Sequence, residues 1–262
     1  MYLSKLWREG RILTILAAVA LLLLFLGVFR LDVFLSTAQM QHPDPQQIYG
    51  GIMGFAAGLL YSESILVSFW GWLSAGIGVG KNLGEDSGSF LLTRPRRRAW
   101  FLWSDWGYTM AQIAIIVAVT NLIFLFSIDR VLMLFHVPAA IPIDASGGTV
   151  SVAALMLFVS IGVLLVAGLI YGISYFSTIL IQRTTGVMLG AGILLAYFIL
   201  RAVLHHYFPS VHLPGFVMNV FDFSRQESPQ LSGNFAAGII ARTLVMLAFP
   251  FAAQLILDRA EI

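Results

Sequence analysis

The sequence predicts an all-α membrane protein with six transmembrane helices and both termini in the cytoplasm. First, its 262 residues are 59% hydrophobic and only 11% charged, with a mean hydropathy of +0.88, whereas soluble domains have about 25% charged residues. Second, apolar runs near the length needed to cross a bilayer, about 20 residues, alternate with polar segments. Third, Lys and Arg concentrate in alternate connections, which is typical of cytoplasmic loops.

The N-terminus is predicted to form a short amphipathic helix at the membrane interface. Within residues 2–10, apolar side chains including Trp7 share one face at helical spacing, and charged side chains including Arg8 lie largely opposite. A basic tail without regular structure is the alternative. The apolar run that follows, 12–29, is longer than the core of a cleavable signal peptide, which has about 7 to 15 residues. We therefore expect a retained first span at 11–30.

The remaining chain divides into five further spans within a single transmembrane domain, 1–262. They are predicted at about 54–80, 106–127, 150–181, 187–204 and 236–257. Between the second and third spans lies a charged segment, 81–104. Between the fifth and sixth lies a hydrophobic outer loop, 205–235, which is rich in aromatic residues and interrupted by prolines. Such a loop is too short and broken to span, so it lies at the interface or dips back against protein.

The distribution of basic residues predicts the orientation. With the N-terminus inside, ten of the 15 Lys and Arg residues are cytoplasmic: Lys5, Arg8, Arg11, Lys81, Arg94, Arg96, Arg97, Arg98, Arg183 and Arg259. This two-to-one bias places both termini inside the cell, in its inner or plasma membrane. Tryptophans favour the membrane interface, so Trp7, Trp100, Trp103 and Trp106 are predicted interfacial anchors on the same side.

Several kinds of chemistry are disfavoured by the sequence. The absence of cysteine excludes disulfides, thiolate catalysis and Cys-ligated metals. Gly76–Asn82 is similar to a phosphate-binding loop, but Ala75 and Asn82 stand where that motif needs Gly and Ser or Thr. His205 and His206 are adjacent and would point about 100° apart on a helix, which is unsuited to chelating one ion. We expect no metal site, no cofactor bound by this chain and no nucleic-acid partner.

Charge inside a span is costly and often functional. Arg201 lies near the outer end of the fifth span and can reach the interface, which leaves two charged residues to explain. Glu63 lies in the second span and Arg242 about two turns into the sixth. They could pair with each other as a structural element, or line a translocation path for a polar part of the substrate.

Glycines spaced by four predict close helix packing within several spans. The pairs are Gly54/Gly58, Gly76/Gly80, Gly168/Gly172 and Gly186/Gly190. Such spacing is common in membrane helices, so each pair is one indication among several.

The charged segment contains an ordered set of residues, GEDSGSFLLTRPRRRAW at 84–100. A basic cytoplasmic loop explains its arginines but not the order of the other residues. The sequence of an acidic residue, Gly-Ser, Leu-Leu, Pro and Arg resembles the signature of ABC-2-type transporter permeases. The matching positions are Glu85, Gly88–Ser89, Leu91–Leu92, Pro95 and Arg98. The spacing is tighter than in the common family pattern, and Arg96–Arg97 stand where a small or hydroxyl residue is usual.

The resemblance implies an architecture and a function for the whole chain. The family has an interfacial N-terminal helix, six spans and short outer helices between the fifth and sixth. The chain would be the membrane subunit of an ABC exporter that moves an amphipathic lipid, peptide, antibiotic or polysaccharide. It would not itself be an enzyme. ATP and Mg would bind two copies of a separate ATP-binding subunit, and a second permease copy or homologue and membrane lipids would complete the assembly.

In the family, the segment after the second span docks as a coupling helix on the ATPase. The implied docking residues here are Glu85, Asp86, Gly88, Ser89, Arg94, Pro95, Arg96, Arg97 and Arg98. Acidic residues favour a helix N-terminus, and arginines pair with carboxylates or anionic headgroups. Two alternatives remain open: an intramembrane lipid-modifying enzyme that uses Glu63, Arg242 or the outer histidines, and a membrane scaffold or immunity protein that transports nothing.

Overall fold

The computed structural model describes residues 45–77, 95–142, 149–181, 183–207, 221–222, 230–231 and 235–259, together with the single positions 15 and 19. These residues are nearly all helical. The helices are α1 (Pro45–Ala75), α2 (Pro95–Leu134), α3 (Val152–Ile181), α4 (Gly186–Tyr207) and α5 (Phe235–Arg259). All five are long and apolar enough to cross a membrane, as expected of a multi-pass membrane protein. They correspond to the second to sixth predicted spans, and the N-terminal amphipathic helix lies outside the described residues, as does the first span apart from positions 15 and 19.

Helix α1 begins nine residues before the predicted start of the second span at residue 54. Pro45 is its first residue, where a proline costs no hydrogen bond and its fixed φ suits the helix. Buried Ile48 and Ile52 begin the core-facing side of α1 in this added stretch. At the other end the regular helix stops at Ala75, before the predicted boundary at residue 80.

Helix α2 also exceeds its predicted span of 106–127, and Asp129 and Arg130, which lie beyond that span, are part of the helix. The helix continues to Leu134 because Ile128 and Leu132, 0% and 2% exposed, extend its buried side by one more turn. Asp129 is half-buried and Arg130 is exposed, so both charges sit away from that side and do not interrupt it.

A left-handed residue ends helix α2. His136 has a φ of 54°, its N–H donates to Met133 O, and the N–H of Val137 donates to Leu132 O. This is the two-bond arrangement that commonly terminates helices, with His in the position usually taken by Gly. Val137 then packs against the main core, so the cap fixes where the chain leaves the helix.

Two short antiparallel strand pairs occur in the connections. Strand β1 (Ala140–Pro142) pairs with β2 (Thr149–Ser151) between α2 and α3. Strand β3 (Phe221–Asp222) pairs with β4 (Gln230–Leu231) between α4 and α5. Short outer helices are expected in 205–235. Helix α4 ends at Tyr207, and the described residues that follow it, in β3 and β4, are extended and not helical. The rest of that loop lies outside the described residues.

Helix α3 lies at the centre of the bundle and packs against each of the other four helices. Successive helices alternate in direction. Near the start of α1, the Tyr49 hydroxyl donates to Pro138 O, just after α2, at 3.1 Å. The last turn of α1 lies against the start of α4, where Gly76 approaches Val187. We call the end with the α3–α4 turn and the 78–94 connection the turn end, and the opposite end, with β1 and β2, the hairpin end.

Helices approach each other closely at glycines, and these glycines belong to two of the predicted pairs. A Cβ added at Gly190 of α4 would lie 2.9 Å from Ser174 Cα of α3, and one at Gly186 would meet the backbone of Thr178. Among the described side chains of α4, these glycines are the buried ones. On α3, Gly168 and Gly172 face Met246 and Phe249 of α5. Gly54 and Gly58 have nothing within 4 Å, so their predicted packing role is not seen among the described residues.

Candidate functional site

The turn end brings together two connections and the end of α5. The 78–94 connection joins α1 to α2 there, residues 183–185 join α3 to α4, and α5 finishes at Arg259. Arg183 and Arg259 are both exposed. The first turn of α2, from Pro95, contains three further arginines in sequence. The described ends of α2, α3 and α5 on this side of the bundle are therefore rich in basic residues.

The two helices that flank the 78–94 connection are braced by side-chain hydrogen bonds. Trp72 Nε1 near the end of α1 donates to Val187 O of α4 at 3.0 Å. Trp103 Nε1 near the start of α2 donates to Gln254 Oε1 of α5 at 3.1 Å. At Leu102, next to Trp103, the buried Tyr175 hydroxyl of α3 donates to the backbone O at 2.8 Å. Both flanking helices are thereby tied to the rest of the bundle.

The predicted coupling residues fall largely outside the described part of the chain. Glu85, Asp86, Gly88, Ser89 and Arg94 all lie there. Pro95 is the first residue of α2, a position where its fixed φ suits the helix. The backbone of Arg96, Arg97 and Arg98 forms the first turn of that helix, and their side chains lie outside the described residues.

The predicted tryptophan anchors occupy different environments. Trp7 lies outside the described residues. Trp100 is 54% exposed, as an interfacial anchor would be, whereas Trp106 is 8% exposed. The ring of Trp103 packs edge-to-face against Phe251 of α5, with ring centroids 4.8 Å apart. It also packs edge-to-face against Trp106, with centroids 6.0 Å apart. The indoles of Trp103 and Trp106 therefore contact protein and help to fix the start of α2.

A buried polar pair joins α1 to α2 deep within the bundle. Glu63 is 0% exposed and Asn121 is 4% exposed. Asn121 Nδ2 donates to Glu63 Oε2 at 3.2 Å. Glu63 stands 18 residues after Pro45 and 12 before Ala75, which is about 27 Å and about 18 Å along the helix axis. The carboxyl group thus lies far from both ends of α1.

Apolar contacts enclose this pair along the helices. Towards the hairpin end, the rings of Phe55 and Phe124 meet edge-on at 5.2 Å. Towards the turn end, Gly71 lies against Ile113 of α2 and Tyr171 of α3. Because α1 and α3 run in the same direction, Glu63 is level with the stretch of α3 around residues 159–163, whose side chains are apolar or small and mostly buried. The carboxyl and amide groups therefore lie in low-dielectric surroundings.

Each member of the pair also has an oxygen without a hydrogen-bond partner among the described residues. These atoms are Glu63 Oε1 and Asn121 Oδ1, and neighbouring Ser64 Oγ and Ser68 Oγ are also unsatisfied. Buried polar atoms are normally hydrogen-bonded, and leaving one unsatisfied costs about 1–3 kcal/mol. Two such atoms on one hydrogen-bonded pair require a physical explanation.

Arg242 does not pair with Glu63 in the described structure. Its Nη1 donates to Gly238 O, one turn earlier on α5, at 3.2 Å. The side chain is half-buried, whereas the hydrogen-bond partner of Glu63 is Asn121. The structural pairing of the two charges, one of the alternatives, is therefore not found here, and a role for either residue in a translocation path stays a prediction.

Sequence reasoning missed several buried polar residues. Asn121 was not singled out because an uncharged amide inside an apolar span has no distinctive local pattern, and its partner is 58 residues away. Asp105, 2% exposed, was placed just before the predicted start of the third span. Since α2 starts at Pro95, this acid is well inside the helix. The available signal for its burial was its position between Trp103 and Trp106, on the apolar side of the helix.

Comparisons with known proteins add nothing to the likeness to ABC-2 permeases, which rests on the motif residues of this chain alone. No protein-family model, no curated protein and no solved structure matches it.

Proposed function

We propose that this chain is the membrane-spanning subunit of an ATP-driven ABC exporter of the ABC-2 type. It crosses the inner or plasma membrane six times with both termini in the cytoplasm, and its N-terminal helix lies at the interface. Two ATP-binding subunits supply ATP hydrolysis with Mg, and a second permease copy or a homologue completes the transport path. The substrate is amphipathic: a lipid, peptide, antibiotic or polysaccharide.

The observation that carries this proposal is the ordered motif in the connection between α1 and α2. Glu85, Gly88–Ser89, Leu91–Leu92, Pro95 and Arg98 follow the order of the family signature. The position of Pro95 at the start of α2 supports reading it as the junction between the motif and the next span. The basic turn end around this connection supports a cytoplasmic location by the positive-inside rule.

The bracing at the turn end supports a coupling role for this connection. A movement applied between α1 and α2 would be transmitted to α4 through the hydrogen bond from Trp72 to Val187 O. It would also be transmitted to α5 through the hydrogen bond from Trp103 to Gln254. Packed interfaces shift between discrete arrangements rather than deforming continuously. An ATPase that grips the connection would therefore move several helices together.

The test is a double substitution, Glu85→Ala with Arg98→Ala, in the complete complex reconstituted in liposomes. If these charges dock on the ATPase, their loss weakens that contact by about tenfold or more, equivalent to about 1.4 kcal/mol. We expect stimulation of ATP hydrolysis by the membrane subunit to be lost while membrane insertion is normal. Arg183→Ala is the matched control, because it removes an exposed charge at the same end outside the motif. A double variant that assembles and hydrolyses ATP like the parent would contradict the assignment of the coupling segment.

A further inference from the structure

We propose that Glu63 is an intramembrane proton-binding site, in which a neutral carboxylic acid shares its proton with Asn121. The inference concerns the pair itself and does not rest on the proposed function. It starts from three facts: a carboxyl group that is 0% exposed, one hydrogen bond from Asn121 Nδ2 to Glu63 Oε2 at 3.2 Å, and two unsatisfied oxygens, Glu63 Oε1 and Asn121 Oδ1.

The unsatisfied atoms are complementary to one bound proton. A carboxylic acid and a primary amide can form two parallel hydrogen bonds, because each has one donor and one acceptor on the same edge. The amide N–H to Oε2 bond is already present. A proton on Oε1 that is donated to Asn121 Oδ1 makes the second bond. One proton thereby satisfies both remaining oxygens of the pair, whereas a carboxylate satisfies neither.

Among the described residues, no cation pairs with Glu63 to stabilise its ionised form. On α1 the nearest titratable side chain is Tyr61, which is 48% exposed and faces away. The level part of α3, residues 152–170, has no titratable side chain, and on α2 the flanking ones are Tyr108 and Asp129, at least two turns from Asn121. On α4 Arg201 is exposed. An isolated buried carboxylate is strongly disfavoured, and such groups neutralise instead.

The cation of α5 is engaged elsewhere. Arg242 of α5 donates to Gly238 O and makes no hydrogen bond to Glu63, whose Oε1 is unsatisfied. Among the described residues, the amide of Asn121 is therefore the polar group that determines which protonation state of Glu63 is favoured. Its N–H suits either state, but its carbonyl oxygen suits only the protonated one.

The site has a mechanical consequence, because the pair ties α1 to α2. Deprotonation would leave Glu63 Oε1 facing the carbonyl oxygen of Asn121, so an attraction would become a repulsion between two acceptors. The contact between the helices is then expected to loosen as pH rises. These helices, α1 and α2, are consecutive in the chain, so proton release at Glu63 would change how firmly the two are held together.

The test uses infrared spectroscopy of the full chain in lipid nanodiscs, comparing the parent with Glu63→Gln. Glutamine keeps the shape and can donate its own N–H to Asn121 Oδ1, so the variant is expected to fold. At neutral pH we expect the parent to show a protonated-carboxyl stretching band that is lost in the variant. Asp105, the other buried acid among the described residues, is common to both samples and cancels in the difference, as does every other acid of the chain. Asn121→Leu should keep the band but shift it to the frequency of a carboxyl without a hydrogen-bonded partner.

A second measurement needs no variant. Dicyclohexylcarbodiimide, an apolar carbodiimide, adds to protonated carboxyl groups within membranes, forming an N-acylurea with no leaving group. We expect mass spectrometry to find the adduct on Glu63 at neutral pH and to find it lost at high pH. If Glu63 is unlabelled at neutral pH, or if the difference spectrum shows a lost carboxylate band in place of the carboxylic acid band, the proposal is overturned.

Discussion

Substitution of Gly190 by alanine tests the close approach of α3 and α4. A Cβ at this position would lie 2.9 Å from Ser174 Cα, 3.2 Å from Ser174 Oγ and 3.4 Å from Ser174 N. Two of these atoms are backbone, so a rotamer change cannot relieve the contact. The helices must move apart, and overpacking of this kind costs about 1–3 kcal/mol.

Gly192 provides the matched control on the same helix. A Cβ there meets nothing within 4 Å, and the residue is exposed. Both substitutions gain up to about 1 kcal/mol from the higher helix propensity of alanine. This gain cancels in the comparison, so the difference between Gly190→Ala and Gly192→Ala isolates the steric cost. We expect Gly190→Ala to be the less stable variant by about 1–3 kcal/mol.

The assay is reversible unfolding in mixed micelles, in which the loss of helical signal gives the free energy of unfolding of each variant. Retained helix content before the transition shows that both variants fold. Equal free energies for Gly190→Ala and Gly192→Ala would refute the reasoning, because they would mean that α4 does not approach the backbone of α3 closely at Ser174.

Three further predictions concern the bracing and the direction of the helices. Tyr175→Phe removes the 2.8 Å hydrogen bond to the backbone of α2 and should lower the free energy of unfolding by about 0.5–1.5 kcal/mol, whereas no change would mean that α2 and α3 do not meet there. Trp103→Phe removes the indole hydrogen bond to α5 and should destabilise the protein in a thermal unfolding assay more than Trp100→Phe, which alters a side chain that is 54% exposed; the reverse ranking would contradict this. Because the chain has no native cysteine, single cysteines at Thr184 and Thr149 can be labelled with membrane-impermeant maleimides, and we expect Thr184→Cys to react from the cytoplasm and Thr149→Cys from outside. Labelling of both from one side would mean that α3 does not cross the membrane.

Much of the helical architecture could be predicted from sequence because apolar length is a strong local signal. Five of the predicted spans coincide with α1 to α5, and α3 matches almost to the residue. The boundaries of α1 and α2 were less predictable. Pro45, Asp129 and Arg130 are typical of loops, yet each occupies a position in a helix where its chemistry costs little. Helix ends depend on which side of the helix is buried, and that is decided by neighbouring helices.

The candidate site was predictable only where a single residue was conspicuous. Glu63 stood out because a carboxyl group inside an apolar span is rare. Its partner Asn121 did not, since contact between them depends on how α1 and α2 are aligned along their lengths. The glycine pairs behaved similarly: Gly186 and Gly190 meet the backbone of α3, while Gly54 and Gly58 have the same spacing and meet nothing within 4 Å. Spacing shows that close packing is possible, and the partner helix decides whether it occurs.

The most direct test of the central proposal is purification of the tagged chain, under mild solubilisation, from the membranes of the cells that make it. If the chain is an exporter subunit gripped at the 78–94 connection, an ATP-binding subunit should co-purify in equal amount. The purified complex should hydrolyse ATP, and transport in liposomes should depend on that hydrolysis. A chain that purifies alone and is active without nucleotide would contradict the proposal.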